Sequence, residues 1–173
     1  MSKEPVARFH VLIDELTVPL EKLHRERLQC KRGCADCCVD DITVYEVEAD
    51  RIRRQHAALL ESGMPHAPGA CAFLDGEGAC RIYEDRPYVC RTQGLPLRWA
   101  AEDEAGGVVE RRDICELNVS ESQPLVDVDP NHCWTLGPAE TKLQQIEALH
   151  EGSAQDVEPG ELRRVRLRDL FGV

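Results

Sequence analysis

The 173-residue sequence predicts a small α+β fold, with helices packed around short β-hairpins and a Cys-rich loop. Three observations carry that expectation. Apolar residues recur at helical spacing near both ends of the chain and over residues 43–63. Two stretches between residues 71 and 112 show turn signals between short apolar arms. The segment "CKRGCADCC", residues 30–38, is too rich in cysteine and too short in apolar residues for either kind of element. The length suits a single domain, residues 1–173. Its expected parts are a helical segment at 5–28, a cysteine-cluster core at about 28–118, and a helix with a basic tail at 137–173.

Along the N-terminal segment Val6, Phe9, Leu12, Ile13, Leu16 and Leu20 keep a helical period. Pro19 predicts a kink or a restart, with "PLEKLHRERLQ" resuming as helix up to Cys30. "TVYEVEADRIRRQHAALLESG" reads as one helix. Thr43 and Glu46 fit a capping box, and Gly63 suits a left-handed end. "CAFLDGEGACRIY" reads as a hairpin about Asp75-Gly76, with Cys71 and Cys80 on its arms. "EDRPYVCR" is turn-like and carries Cys90; Tyr83 and Pro87 shape that turn. "LPLRWAAEDEAGGVVERR" predicts a second hairpin with its tip at 102–107, followed by Cys115. "SQPLVDVDPNHC" is loop, and "GPAETKLQQIEALHEG" is a helix with Pro138 in its first turn. The tail "ELRRVRLRDLFGV" reads as a solvated helix or an edge strand.

The formal net charge is −11, which argues against bulk binding to nucleic acid or to an anionic membrane. Seventeen of the 21 basic residues are arginine and several cluster, which leaves room for a local basic patch. "MSKEPVARFHVLIDEL" lacks the apolar core of a signal peptide, and no apolar run approaches the ~20 residues that span a bilayer. A cytoplasmic location is therefore expected. Thiols stay reduced there, so nine cysteines point to metal rather than to disulfides, and an odd count fits a disulfide framework poorly.

Thiolates suit zinc, copper(I) or iron–sulfur clusters, and both structural zinc and cubane clusters take four of them. Cys34 and Cys37 lie at C-x2-C spacing, where one turn presents two sulfurs to one metal, and Gly33 permits the tight backbone. The adjacent side chains of Cys37 and Cys38 diverge. Either they serve two centres, or one ligates and the other packs. The C-x3-C-x2-C spacing of Cys30, Cys34 and Cys37 also occurs in radical S-adenosylmethionine enzymes. This chain is too short for their partial barrel, and a cysteine directly after the third departs from their pattern.

"CKRGCADCC", then "CAFLDGEGACRIYEDRPYVCRTQGLPL", then "CELN" resemble the YkgJ-type cysteine-cluster family over residues 28–118. That family is described as a zinc- or iron-chelating domain with a CxxCxxCC-type motif. The order of the cysteine spacing, the I-Y-x-x-R-P turn and the C-R-T-x-G-L-P stretch carries the likeness. The first gap here is three residues, from Cys30 to Cys34, where the motif name has two. The resemblance implies eight metal-ligating cysteines: Cys30, Cys34, Cys37, Cys38, Cys71, Cys80, Cys90 and Cys115. It leaves Cys133 as a free thiol, or paired with His132 in a Cys-His site. It implies an iron–sulfur cluster or Zn2+. A related module in flagellin lysine methylases is described as holding an iron–sulfur cluster, which favours the former.

Arg81, Arg86 and Arg91 flank Cys80 and Cys90, where they offset thiolate charge or bind an anionic ligand. Trp99 and Trp134 are core residues or cover the metal. No H-x3-H pair, paired-carboxylate spacing, phosphate loop or nucleotide fingerprint occurs. Three readings follow: a cysteine-cluster protein with a structural, redox or metal-handling role; an enzyme or enzyme subunit using the cluster, with Arg86 and Arg91 at the substrate; and an interaction module using the basic C-terminal strip. Metal ions are the expected partners, and the sequence names no protein partner.

Overall fold

The structure is a computed structural model that describes residues 4–152 and 162–172. Glu161 and Val173, the two ends of the expected basic tail, lie outside the described residues. The fold is α+β, with helix well in excess of strand. Its helices are α1 (Pro5–Leu23), α2 (Glu46–Gln55), α3 (Ala57–Ser62), α4 (Tyr88–Arg91) and α5 (Pro138–His150). Its strands are β1 (Thr43–Tyr45), β2 (Leu97–Glu102), β3 (Val108–Asp113), β4 (Trp134–Thr135) and β5 (Arg164–Arg166). β1 pairs antiparallel with β5. β3, β2 and β4 form a second sheet in that order, antiparallel and then parallel.

α1 begins with Pro5 at its first turn and buries Val6, Phe9 and Ile13, as the spacing predicts, whereas Leu12 and Leu16, expected with them, are exposed. It runs through Pro19 without a restart and ends at Leu23, so "PLEKLHRERLQ" is not a second helix. Pro19 lies on the exposed face, where losing one ladder hydrogen bond costs least. After His24 the chain turns, and buried Arg27 donates to the Gln123 carbonyl at 2.6 Å.

The helix predicted over residues 43–63 is three elements. Thr43 does not cap it: Thr43–Tyr45 is strand β1, captured by β5. α2 instead starts after Tyr45 and has no cap from its own segment. The carboxylate of Glu147 on α5 caps it from 100 residues away, accepting from the amides of Glu46 at 3.1 Å and Val47 at 2.8 Å. The helix breaks at His56, whose ring bonds Asp85 at 3.0 Å. Gly63 ends α3 in extended conformation, at φ −82°, and not in the left-handed region.

Two cores meet along β1 and α2. One gathers Val44, Ala49, Ile52, Phe73, Ile82 and Leu167, with Cys71 buried in it and Cys38 and Cys80 packed against it. The other gathers Phe9, Ile13, Tyr45, Val47, Tyr88, Trp134 and Ile146. Neighbours on β1, Val44 and Tyr45, therefore face opposite cores, as the two-residue strand period requires. Trp134 is core, and its indole donates to the Tyr88 hydroxyl at 3.0 Å.

The expected hairpin at residues 71–83 is reduced to one bridge, Leu74 with Cys80. The Asp75 carboxylate takes the amides of Glu77 and Ala79, at 2.9 and 2.8 Å, and folds the tip into a tight turn. The second hairpin forms as predicted, with a continuous register from Leu97–Asp113 to Glu102–Val108. The described part of the basic tail is an edge strand, β5, followed by a 3-10 turn.

Candidate metal centre

Four separate pieces of chain bring cysteines together. The loop of residues 30–38 carries Cys30, Cys34, Cys37 and Cys38, and it is built from tight turns: the Cys34 amide bonds the Lys31 carbonyl at 2.9 Å, and the Cys38 amide bonds Ala35 at 2.8 Å. This loop lies backbone to backbone on the Asp75–Ala79 turn. Gly33 and Gly78 both have positive φ, and a Cβ on Gly78 would stand 3.2 Å from the Gly33 carbonyl. A Cβ on Gly78 would need the Gly33 carbonyl to give way by a few tenths of an ångström, and the positive φ at both positions disfavours other residues.

Cys38 is tied directly to Cys71, whose amide donates to the Cys38 carbonyl at 2.8 Å. Arg168, from the far end of the chain, reinforces that junction. It bonds Asp40 just after Cys38, and the carbonyls of His66 (2.8 Å) and Ala70 (2.9 Å) just before Cys71. Cys80 sits across from Leu74 in the bridge, and Cys90 lies within α4.

Cys30 has a different seat. A Cβ on Gly94 would come within 2.7 Å of its sulfur, so only a glycine lets the sulfur lie against that backbone. Asn118 is buried beside it. Its Nδ2 donates to the Gly94 carbonyl at 2.8 Å and stands 3.5 Å from the Cys30 sulfur; its Oδ1 accepts the Gln29 amide at 2.8 Å. The Asn118 amide in turn bonds the Cys115 carbonyl at 2.8 Å. "CELN" thus places Cys115 and the clamp on Cys30 in one turn. Asn118 and Gly94 were not read from the sequence as site residues. Their only trace there is their presence in "CELN" and "RTQGLP".

The electrostatics favour a positive partner among these sulfurs. Burial pushes the thiols of Cys71, Cys80 and Cys90 up, and neighbouring thiols push Cys80 and Cys90 further. Burial also raises Cys30, against the pull of Asn118. The hydrogen bond between Cys37 and Cys38 lowers the Cys37 thiol and raises that of Cys38. A set of bare thiolates here would be costly, and a thiophilic cation would offset that cost. Among the described residues no group of three or more His, Cys, Asp or Glu side chains is arranged to hold a metal ion as placed. Thiolates are the donors that a thiophilic metal takes, so the cysteines suit such a metal in kind.

Cys133 stands apart from the other eight. It is buried, its thiol points to the Asp129 carbonyl at 3.8 Å, and its electrostatic neighbours are Arg112, Arg98, Glu110 and Arg27, with no cysteine among them. His132 presents its backbone carbonyl to His24 at 2.7 Å.

The flanking arginines are largely engaged in structure. Arg91 is buried, donating to Asp14 at 2.5 Å and to the Glu84 carbonyl at 3.0 Å. Arg81 holds the Ala72 carbonyl at 2.7 Å, and Arg86 lies over the Tyr83 ring and holds its carbonyl at 2.9 Å. Arg81 and Arg86 also pull the Cys80 thiol down, in line with the charge-offset reading. Trp99 lies on β2, half-exposed.

Residues 29–116 match the family model "CxxCxxCC: Putative zinc- or iron-chelating domain". The chain belongs to this family. The match spans the first cysteine of the loop to Cys115, and the family's description supports a metal-binding role. Comparison with curated proteins and with solved structures finds no match. Among the described residues, no helix is long and apolar enough to cross a membrane.

Proposed function

We propose that this CxxCxxCC protein binds metal through Cys30, Cys34, Cys37, Cys38, Cys71, Cys80, Cys90 and Cys115, that the metal is held as iron–sulfur in the cell, and that its role is structural or electron-transferring. What supports the reading is that thiols from four separate segments are neighbours, Cys30 of Cys34, Cys37 and Cys115, and Cys90 of Cys37, Cys71 and Cys80, while the ninth, Cys133, lies among arginines. Two well-formed apolar cores do not need eight cysteines for packing, and as thiolates these groups would repel one another unless a cation lay among them. When bound, an iron–sulfur centre supplies cross-linking and a one-electron redox couple. The protein's own part is to fix the sulfurs, through the Asn118 clamp, the Arg168 brace and the glycine contact between the two loops, and to offset their charge with Arg81 and Arg86.

Metal content in two variants tests the ligand set. Cys133→Ser is expected to keep the parent's full metal content. Cys37→Ser or Cys90→Ser is expected to lose metal or fail to accumulate in soluble form. Loss of a full metal equivalent from the Cys133 variant would show that the eight are wrongly chosen.

A further inference from the structure

We infer that the eight thiols form two four-thiol sites rather than one pool: Cys30, Cys34, Cys37 and Cys115 on the solvent side, and Cys38, Cys71, Cys80 and Cys90 on the core side. This inference rests on the metal-binding reading and deepens it.

Backbone geometry supports the division. The Cys38 carbonyl receives the Cys71 amide at 2.8 Å, and Cys38, Cys71 and Cys80 all belong to the same apolar core. Cys30 and Cys115 meet at Asn118, which touches the sulfur of one and bonds the carbonyl of the other. Cys34 and Cys37 are one turn of the loop, at the spacing that offers two sulfurs to one ion. Exposure divides the same way at the extremes, since Cys30 is exposed and Cys71 is buried.

The electrostatic neighbourhoods repeat the pattern. The cysteines around Cys30 are Cys34, Cys115 and Cys37. Those around Cys90 are Cys71, Cys80 and Cys37, and those around Cys38 are Cys37, Cys71 and Cys90. Cys37 is the one residue that faces both groups. Its C-x2-C partner Cys34 assigns it to the solvent side, while the backbone bond to Cys71 holds Cys38 in the core. The vicinal pair is then the joint between two adjoining sites. Arg81 and Arg168 neighbour Cys71, and Arg81 and Arg86 neighbour Cys80, with Asp40 also beside Cys71 and Glu48 beside Cys90; Cys37 has Asp36 beside it.

The test uses full-length protein purified without oxygen, with metal measured per chain and thiol protection mapped by brief alkylation and peptide mass analysis. Cys115→Ser is expected to lose half of the parent's metal. Cys30, Cys34 and Cys37 then become reactive, while Cys38, Cys71, Cys80 and Cys90 stay protected. Asn118→Ala, which leaves every thiol in place, is expected to raise alkylation at Cys30 and to leave the core-side four unchanged. Loss of all metal from Cys115→Ser, with Cys71 and Cys80 labelled as fast as Cys34, would overturn the division and indicate one shared centre. A parent protein that carries no metal and labels at all eight thiols would instead overturn the functional reading itself.

Discussion

Stripping the metal with a strong chelator is expected to unfold the segment between Cys30 and Asn118 and to lower the melting temperature by roughly 10–20 °C. The proposed ligands run from residue 30 to residue 115, so on that reading metal binding is coupled to the folding of everything between them. Thiolate zinc sites contribute about 10–16 kcal/mol of apparent binding energy to small domains. Two apolar cores also hold that segment, so a smaller net loss, about 5 kcal/mol, is the reasonable scale. For a chain of this length about 2–4 °C accompany each kcal/mol. Circular dichroism and a melting curve that barely change after verified metal removal would contradict the structural role.

The second large effect lies outside the cysteines. Glu147→Ala is expected to cost about 2–5 kcal/mol, because it leaves two buried amides, Glu46 and Val47, without an acceptor and opens a cavity at a fully buried position. α2 would lose its cap and with it the rail along which the two cores meet. Glu147→Gln, which keeps one acceptor and the volume, is expected to cost less than half as much in urea titrations. The pH dependence follows from burial, which raises the Glu147 carboxyl above its ordinary value of 4.5 against the pull of the two amides. A carboxyl with a raised folded pKa retains a proton that the unfolded chain has already released, so its contribution to stability falls as pH rises through that window. The penalty of Glu147→Gln relative to the parent is therefore expected to shrink as pH rises through the carboxylate range. An unchanged or growing penalty would show that the two amides outweigh burial.

Those two effects also mark what was legible in the sequence. α5, with Pro138 in its first turn, and the β2–β3 hairpin, with its polar tip, are specified by their own residues and form as read. The stretch 43–63 is different. Its local signals describe a continuous helix capped by Thr43, yet Thr43–Tyr45 is drawn into a strand by residues 164–166, and the cap comes from Glu147. Partners a hundred or more residues away outweighed a local capping preference worth about 1 kcal/mol. The first hairpin was over-read for a related reason. The Asp75 turn signal is real, but the arms pair only close to the turn, at the Leu74–Cys80 bridge, and otherwise pack into a core. Within the site, cysteine spacing identified the candidate donors because ligand chemistry depends on residue type. The seat of Cys30 was not legible, because it depends on Gly94 lying against a sulfur from residue 30, a contact that only the fold creates.

The most direct test is the composition of the protein purified without oxygen from iron-replete cells. The expected result is a brown solution with broad visible absorption, iron and acid-labile sulfide in stoichiometric amounts, and eight of nine thiols protected from alkylation. A colourless protein with stoichiometric zinc and no sulfide would contradict the iron–sulfur assignment, and a protein holding neither metal would contradict the metal centre altogether.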